Sequence, residues 1–353
     1  MGRRFYISIL CLLLFNTLCA QKVQLFKQHN MKRWGVPAGH YSGITQSDRG
    51  TFCIVSDKQE AEGWTNISID FLHSGDIDKI RFDGFHYESG PTQGKTRDSE
   101  AIVFTNDGNV FIAAENDQQI QEVTHKRRAL AVPSCFNKEN IFPNYGFESL
   151  AYNANQGIFW TTTEQGLRSD VSAPSSYENP TPTLLRIQSF GPDLQPLKQY
   201  AYKTDSPEVK HKPRHYAFGV SEMVVIDDTT LLVMERELYI PKNYNRAKCN
   251  IRLYSVNIQR QQPLTDTTKP LSELDASAFL PKTLVASFST GFRIFGKKNF
   301  ANYEGMCLGP KLSDGSQIIV LIADSQGQAG NSLFHLKEFV KTVTFPHRGL
   351  DPR

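Results

Sequence analysis

The 353-residue sequence has no CxxC pair, no HExxH, no GxSxG and no glycine-rich phosphate loop. These absences argue against a zinc ribbon or zincin, a serine hydrolase built on a nucleophile elbow, and a nucleotide-binding fold. Long amphipathic helical patterns are also missing. The longest apolar run, Ile7 to Phe15, is too short to cross a bilayer, and nothing later is long enough to anchor the chain. Charge of one sign is not in excess either, with 39 Lys plus Arg against 36 Asp plus Glu. A nucleic-acid footprint or a generic membrane-surface binder would need a clear basic surplus.

The first twenty residues carry Arg3 and Arg4, then the apolar run, then Leu18-Cys19-Ala20 before Gln21. That is the order of a secretory signal, so residues 1–20 read as a removable export segment and 21–353 as one domain, periplasmic or secreted. Acylation of Cys19 would make a lipoprotein instead, but Leu18 is bulky where such a site takes a small residue. Cleavage after Ala20 is therefore the expectation. The exported part keeps Cys53, Cys135, Cys249 and Cys307. An oxidising compartment permits disulfides, and four cysteines allow three pairings that sequence does not choose between. Cys53 and Cys307 sit in apolar runs that also suit buried free thiols.

Short runs of Val, Ile, Phe, Tyr and Thr between Gly, Asn, Asp and Pro recur along the chain, as in an all-β protein. Five segments share one pattern: a strand starting near an acid, a polar turn, and a strand ending on another acid. Their first strands start near residues 42, 99, 147, 221 and 303. Further strand runs follow each hairpin, among them Asn66 to Leu72, Gln119 to His125, Pro196 to Lys203, Thr283 to Phe288 and Ser332 to Phe339. Four antiparallel strands repeated radially make a β-propeller, here with five to six four-stranded blades, the long later spacings leaving room for a sixth. The spare run Val23 to His29 is expected to close the ring by joining the last blade.

In an antiparallel hairpin the start of the first strand and the end of the second lie at one open end, about 4.8 Å apart. If these hairpins are innermost, Glu100/Glu115, Glu148/Glu164, Glu222/Glu235 and Glu304/Asp324, with Asp57 opposite Ser42, gather at one mouth of the channel. Crowded carboxylates demand protons or counter-cations. His40, Arg97, Arg214, His215, Arg236, Arg293, Lys297 and Lys298 are near the same strand ends, and a bound Ca²⁺ is the other solution, since such oxygens suit a hard cation. Structural pairing with arginine and metal or ligand binding both remain open for each acid.

At Asp98-Ser-Glu-Ala-Ile102, Gly146-Phe-Glu-Ser-Leu-Ala151, Leu232-Val-Met-Glu-Arg236 and Asn302-Tyr-Glu-Gly-Met306, followed by Asp324, the chain resembles the phytase-like family, also described by an esterase-like activity of phytase. The resemblance covers most of residues 35 to 340, and the first repeat departs from it with Ser42 in place of Glu. It implies an exported propeller with hydrolytic activity on phosphate or other esters. In that chemistry the nine acids would hold Ca²⁺, Arg97, Arg214 or Arg236 would grip an anionic ester, and His215 would be the acid or base. The alternative is a non-catalytic propeller that binds a small anion, glycan or peptide. In either case a monomer is expected.

Overall fold

Alternation of apolar and polar residues, cut by turn residues such as Asn106-Asp107-Gly108 and Asp314-Gly315, produces strands and almost nothing else; among the described residues the only helical pieces are short 3-10 turns. The computed structural model describes residues 23–58, 61–88, 97–296, 298–326, 328, 330–331 and 334–346. The export segment and Lys297 lie outside the described residues, and among these no helix is long and apolar enough to cross a membrane.

The strands form five antiparallel blade sheets and one small two-stranded hairpin. Blade one is Tyr41–Gln46, Phe52–Ser56, Gly63–Phe71 and Ile77–Tyr87. Blade two is Ser99–Phe104, Val110–Ala114 and Gln119–Glu122, and its fourth strand shrinks to a single bridge between Gln121 and Ala129. Blade three is Phe147–Asn153, Ile158–Thr163, Leu184–Phe190 and Pro196–Lys203. Blade four is His215–Asp227, Thr230–Ile240, Lys248–Asn257 and Lys282–Gly291. Blade five is Asn302–Lys311, Gln317–Asp324 and Phe339–Phe345, with Gln24–Leu25 and His29–Asn30 paired along the outer side of Phe339–Phe345.

Among the described residues there are thus five blades and no sixth. The long spacings are filled by the stretches 164–183 and 258–281 and by the length of the blade-four strands. Of the expected strand Ser332 to Phe339, Ser332 and Leu333 lie outside the described residues; Phe334–His335 belongs to a small separate hairpin, and the third strand of blade five begins at Phe339.

The core is a set of apolar seams between blades. Cys53, Val55, Ile102 and Val110 lie between blades one and two; Phe111, Leu150 and Phe159 between two and three; Trp160, Ile187, Leu231 and Val233 between three and four. Leu232, Met234, Ile319 and Leu321 fill the seam between four and five, and Ile54, Ile67, Ile318 and Val320 that between five and one. Five seams for five blades close the ring, with the first strand of each blade touching the first strands of both neighbours. The approach is tight. A Cβ added to Gly43 would lie 2.5 Å from the Glu100 carbonyl oxygen, and one on Gly305 would lie 2.6 Å from that of Ser42. Cys53, Cys135, Cys249 and Cys307 are all free thiols, three of them buried in the strands and seams.

Candidate functional site

Every blade breaks its inner hairpin register at the same place. The break falls between Tyr41 and Ile44, Ser99 and Ala101, Phe147 and Ser149, Val220 and Glu222, and Tyr303 and Gly305. Such a bulge leaves one residue without a partner and redirects it. In blades two, three and five that residue is Glu100, Glu148 or Glu304; in blade four it is Ser221, not Glu222.

The second strands follow the same logic. Glu115 and Glu164 come one residue after the last paired positions, Ala114 and Thr163, as Asp57 does after Ser56. In blade four Glu235 is itself the paired residue opposite Val220, so the position equivalent to Glu164 is Arg236. The mouth therefore reads Ser42/Asp57, Glu100/Glu115, Glu148/Glu164, Ser221/Arg236 and Glu304/Asp324: seven carboxylates and one guanidinium.

That guanidinium holds the ring together. Buried Arg236 donates from Nη2 to Glu164 of blade three and from Nη1 to Glu304 of blade five, and its Nη1 lies 3.3 Å from Asn302 Oδ1. Asn302 donates to Glu304 at 2.8 Å. Glu115 accepts from the Gly146 N–H at 2.9 Å, and Asp324 from the Gln326 N–H at 2.6 Å.

On the far side, Lys58 Nζ lies 2.6 Å from Asp98 and 3.1 Å from Asp57, and His40 Nδ1 is 3.4 Å from Asp57. Asp57, Asp98 and Glu100 each bring a carboxylate oxygen to within 4.8 Å of the others. Glu100 is only 8% exposed, and among the described residues no hydrogen-bond donor reaches its carboxylate. Ser221 Oγ and Arg236 Nε are buried without a hydrogen-bond partner.

The electrostatics follow from this crowding. Burial, then the charges of Glu304, Asp57, Glu115 and Asp98, holds Glu100 well above the usual carboxylate range. Burial and Glu100, Glu164 and Glu115 do the same to Glu148, and burial with Glu304 nearby raises Asp324. Glu164 is pushed up by burial to about 7, the Arg236 charge opposing the rise. Burial also raises Tyr145, whose neighbours include Glu164 and Glu115.

The remaining expected site residues lie elsewhere. Glu222 is buried one step inside the ring, where blades one, two, three and five carry Gly43, Ala101, Ser149 and Gly305. Its Oε1 accepts from Leu150 N–H at 3.1 Å on blade three and from Met223 N–H at 2.9 Å. Glu235 faces away from the channel into a closed network, accepting from Tyr202 Oη at 2.7 Å, the Asp205 N–H at 3.0 Å and Lys282. Arg97 pairs with Asp117 at 2.9 Å. Arg214 and His215 are exposed at the outer start of the inner strand, Arg214 over the Tyr244 ring at 5.7 Å. His215 precedes the ring residue Ser221 by six strand positions, up to about 20 Å along the strand. The histidine at the mouth is His40. Asp98, Lys58, Tyr145 and Asn302 join the site without having been singled out for it in the sequence; the signal for Asp98 is its place directly before the Ser-Glu pair that opens its blade.

What this arrangement offers is a pocket of hard oxygen donors with one fixed cation across from it. No curated protein sequence matches the chain. Among solved structures, it is similar to virginiamycin B lyase from Staphylococcus aureus, with 14% identity, a TM-score of 0.37, and 92% of this chain and 100% of that one covered. A luciferin-regenerating enzyme gives 9% identity, a TM-score of 0.40, and 93% and 99% coverage. The PQQ-bound aldose sugar dehydrogenase of Streptomyces coelicolor gives 10%, 0.32, and 92% and 99%. The family model for esterase-like activity of phytase matches residues 36–326, and the chain belongs to this phytase-like family.

Proposed function

We propose that the mouth binds a divalent cation, Ca²⁺ by its all-oxygen donor set, and presents it to an anionic ester that the protein hydrolyses, after export and cleavage at Ala20. The observation that carries this reading is the trio Asp57, Asp98 and Glu100, whose oxygens lie within 4.8 Å of one another. The fit is chemical: these are hard donors on rigid strand ends, with Glu100 reached by no donor among the described residues. Lys58, now paired with Asp57 and Asp98, stands where the cation's charge would go, and its ammonium becomes free to hold an anion once displaced. When bound, the ion supplies polarisation of a phosphoryl or acyl oxygen and a more acidic water.

The chain's own residues do the rest. Arg236 fixes the opposite wall and keeps one positive charge facing the ligand. His40, beside Asp57, takes the acid–base role that the sequence suggested for His215. Glu148 and Glu164 complete the polar rim. The same reading treats the pairing of Gln24–Leu25 and His29–Asn30 with the last strand of blade five as the clasp of the ring.

Arg236's bonds to both Glu164 and Glu304 favour a second reading, in which the ring is a structural latch and the propeller only binds its ligand. A panel of phosphoesters and carboxylesters, run with Ca²⁺ and with chelator, separates the two. Turnover abolished by chelator and restored by Ca²⁺ supports the hydrolase; saturable ligand binding with no turnover supports the binding module.

A further inference from the structure

Beside the mouth, on blade one, a cavity of about 620 Å³ opens between the outer strand Ile77–Tyr87 and the segment 37–41. Phe82, Phe85 and Tyr87 all line it. Regular alternation would send Phe82 and Phe85 to opposite faces of the strand. It does not, because the register against Gly63–Phe71 skips a residue: Phe82 pairs with Ile67 and Gly84 with Asn66, leaving Asp83 as the extra residue. Gly84 takes a φ of +99°, which a residue with a Cβ rarely adopts. The bulge therefore gathers three aromatic side chains into one wall, with Phe85 and Tyr87 edge to face at 4.6 Å. Phe82 is 38% exposed and Tyr87 58%.

The opposite wall of the cavity ends on His40 and Lys58. Those residues contact Asp57 at the mouth, so the cavity and the mouth share a border. An apolar wall with a cationic rim is complementary to a flat apolar ring that carries a negative group on one side. A hydroxyl set against Phe82 or Phe85 finds neither donor nor acceptor. An aryl ring loses nothing there and gains edge or face contacts.

We propose that this cavity is a binding site for the ring of an anionic aryl ester, with the charged group at Lys58. Only the placement of the charged half rests on the reading of the mouth given above.

The test uses three probes followed by saturation-transfer NMR: 1-naphthyl phosphate, the neutral 2-naphthalenemethanol, and glycerol 2-phosphate with Ca²⁺. The first two should bind the wild type, and the double variant Phe82→Ser, Tyr87→Ser should weaken both at least tenfold. Glycerol 2-phosphate should bind the double variant as it binds the wild type. Lys58→Met should weaken naphthyl phosphate and leave the neutral ring unaffected. If the double variant melts abnormally early, Tyr87→Ser alone carries the test, with about a threefold loss expected. No binding of naphthalenemethanol to the wild type, or equal binding to wild type and variant, overturns the proposal. Retained naphthalenemethanol binding with no Ca²⁺-dependent binding of glycerol 2-phosphate would leave the cavity standing and remove the reading of the mouth.

Discussion

Arg236 of blade four donates a hydrogen bond to Glu164 of blade three, and both are almost fully buried. The same guanidinium reaches Glu304 of blade five, so one side chain spans the three blades on that side of the ring. Removing it leaves two buried carboxylates without their cation. Arg236→Met should cost about 3–5 kcal/mol at pH 8. At pH 5 the loss should be smaller, because Glu164, pushed to about 7 by burial, already carries a proton there and needs no cation. Urea unfolding at the two pH values checks this; an equal loss at both would contradict it.

Metal-free protein should lose stability as pH rises through the neutral range. Glu164 titrates near 7 in the folded state and near 4.5 in the unfolded chain, so between those values the folded state binds more protons. Stability then falls with rising pH across this window, and the raised Glu100, Glu148 and Asp324 act in the same direction. Melting curves from pH 5 to 7.5 in chelator should show a steady fall. A rise over the same range would mean that the ring is not proton-loaded.

Much of this arrangement was legible in the chain. The acid-ended hairpins, their antiparallel pairing and the gathering of their ends at one mouth follow from repeats that any reader can align. The blade-four offset was not, because a bulge is a backbone event and shifting one residue changes which side chain faces the channel. A cue did exist. Tyr41, Phe147, Val220 and Tyr303 each precede the ring position, which aligns Ser221 rather than Glu222 with Glu148 and Arg236 rather than Glu235 with Glu164. Contacts such as Lys58 with Asp98, forty residues apart, depend on how two blades meet and have no local signature.

Glu222 should behave differently from the ring acids. Its work is to accept from the Leu150 and Met223 N–H groups, and Gln keeps an acceptor oxygen there. Glu222→Gln should change stability by less than about 1 kcal/mol, whereas Glu222→Ala, which strands both N–H donors, should cost about 1–3 kcal/mol for each donor left unpaired. Neither should alter Ca²⁺ affinity. A Gln variant that loses Ca²⁺ binding would return Glu222 to the site.

Arg186 offers a control away from the mouth. It is 1% exposed, forks onto Asp170 at 2.6 Å, and donates to the Thr267 and Lys269 carbonyls at 2.8 and 2.9 Å, tying a long loop of blade four to blade three. Arg186→Met should destabilise by about 3–5 kcal/mol. Its Ca²⁺ affinity, measured by calorimetric titration below the melting transition, should match the wild type.

The most direct measurement is the melting temperature with millimolar Ca²⁺ and with chelator, for the wild type and for Glu100→Gln combined with Asp57→Asn. Saturation a hundredfold above Kd is worth about 2.7 kcal/mol, roughly 4 °C for a domain of this size. A Ca²⁺-dependent rise of that order is predicted in the wild type and none in the double variant, whose metal-free melting should be unchanged or higher because two crowded carboxyl groups are gone. A wild-type curve unmoved by Ca²⁺, with a double variant less stable than wild type in chelator, would contradict it and leave the acids as structural partners of Arg236 and Lys58.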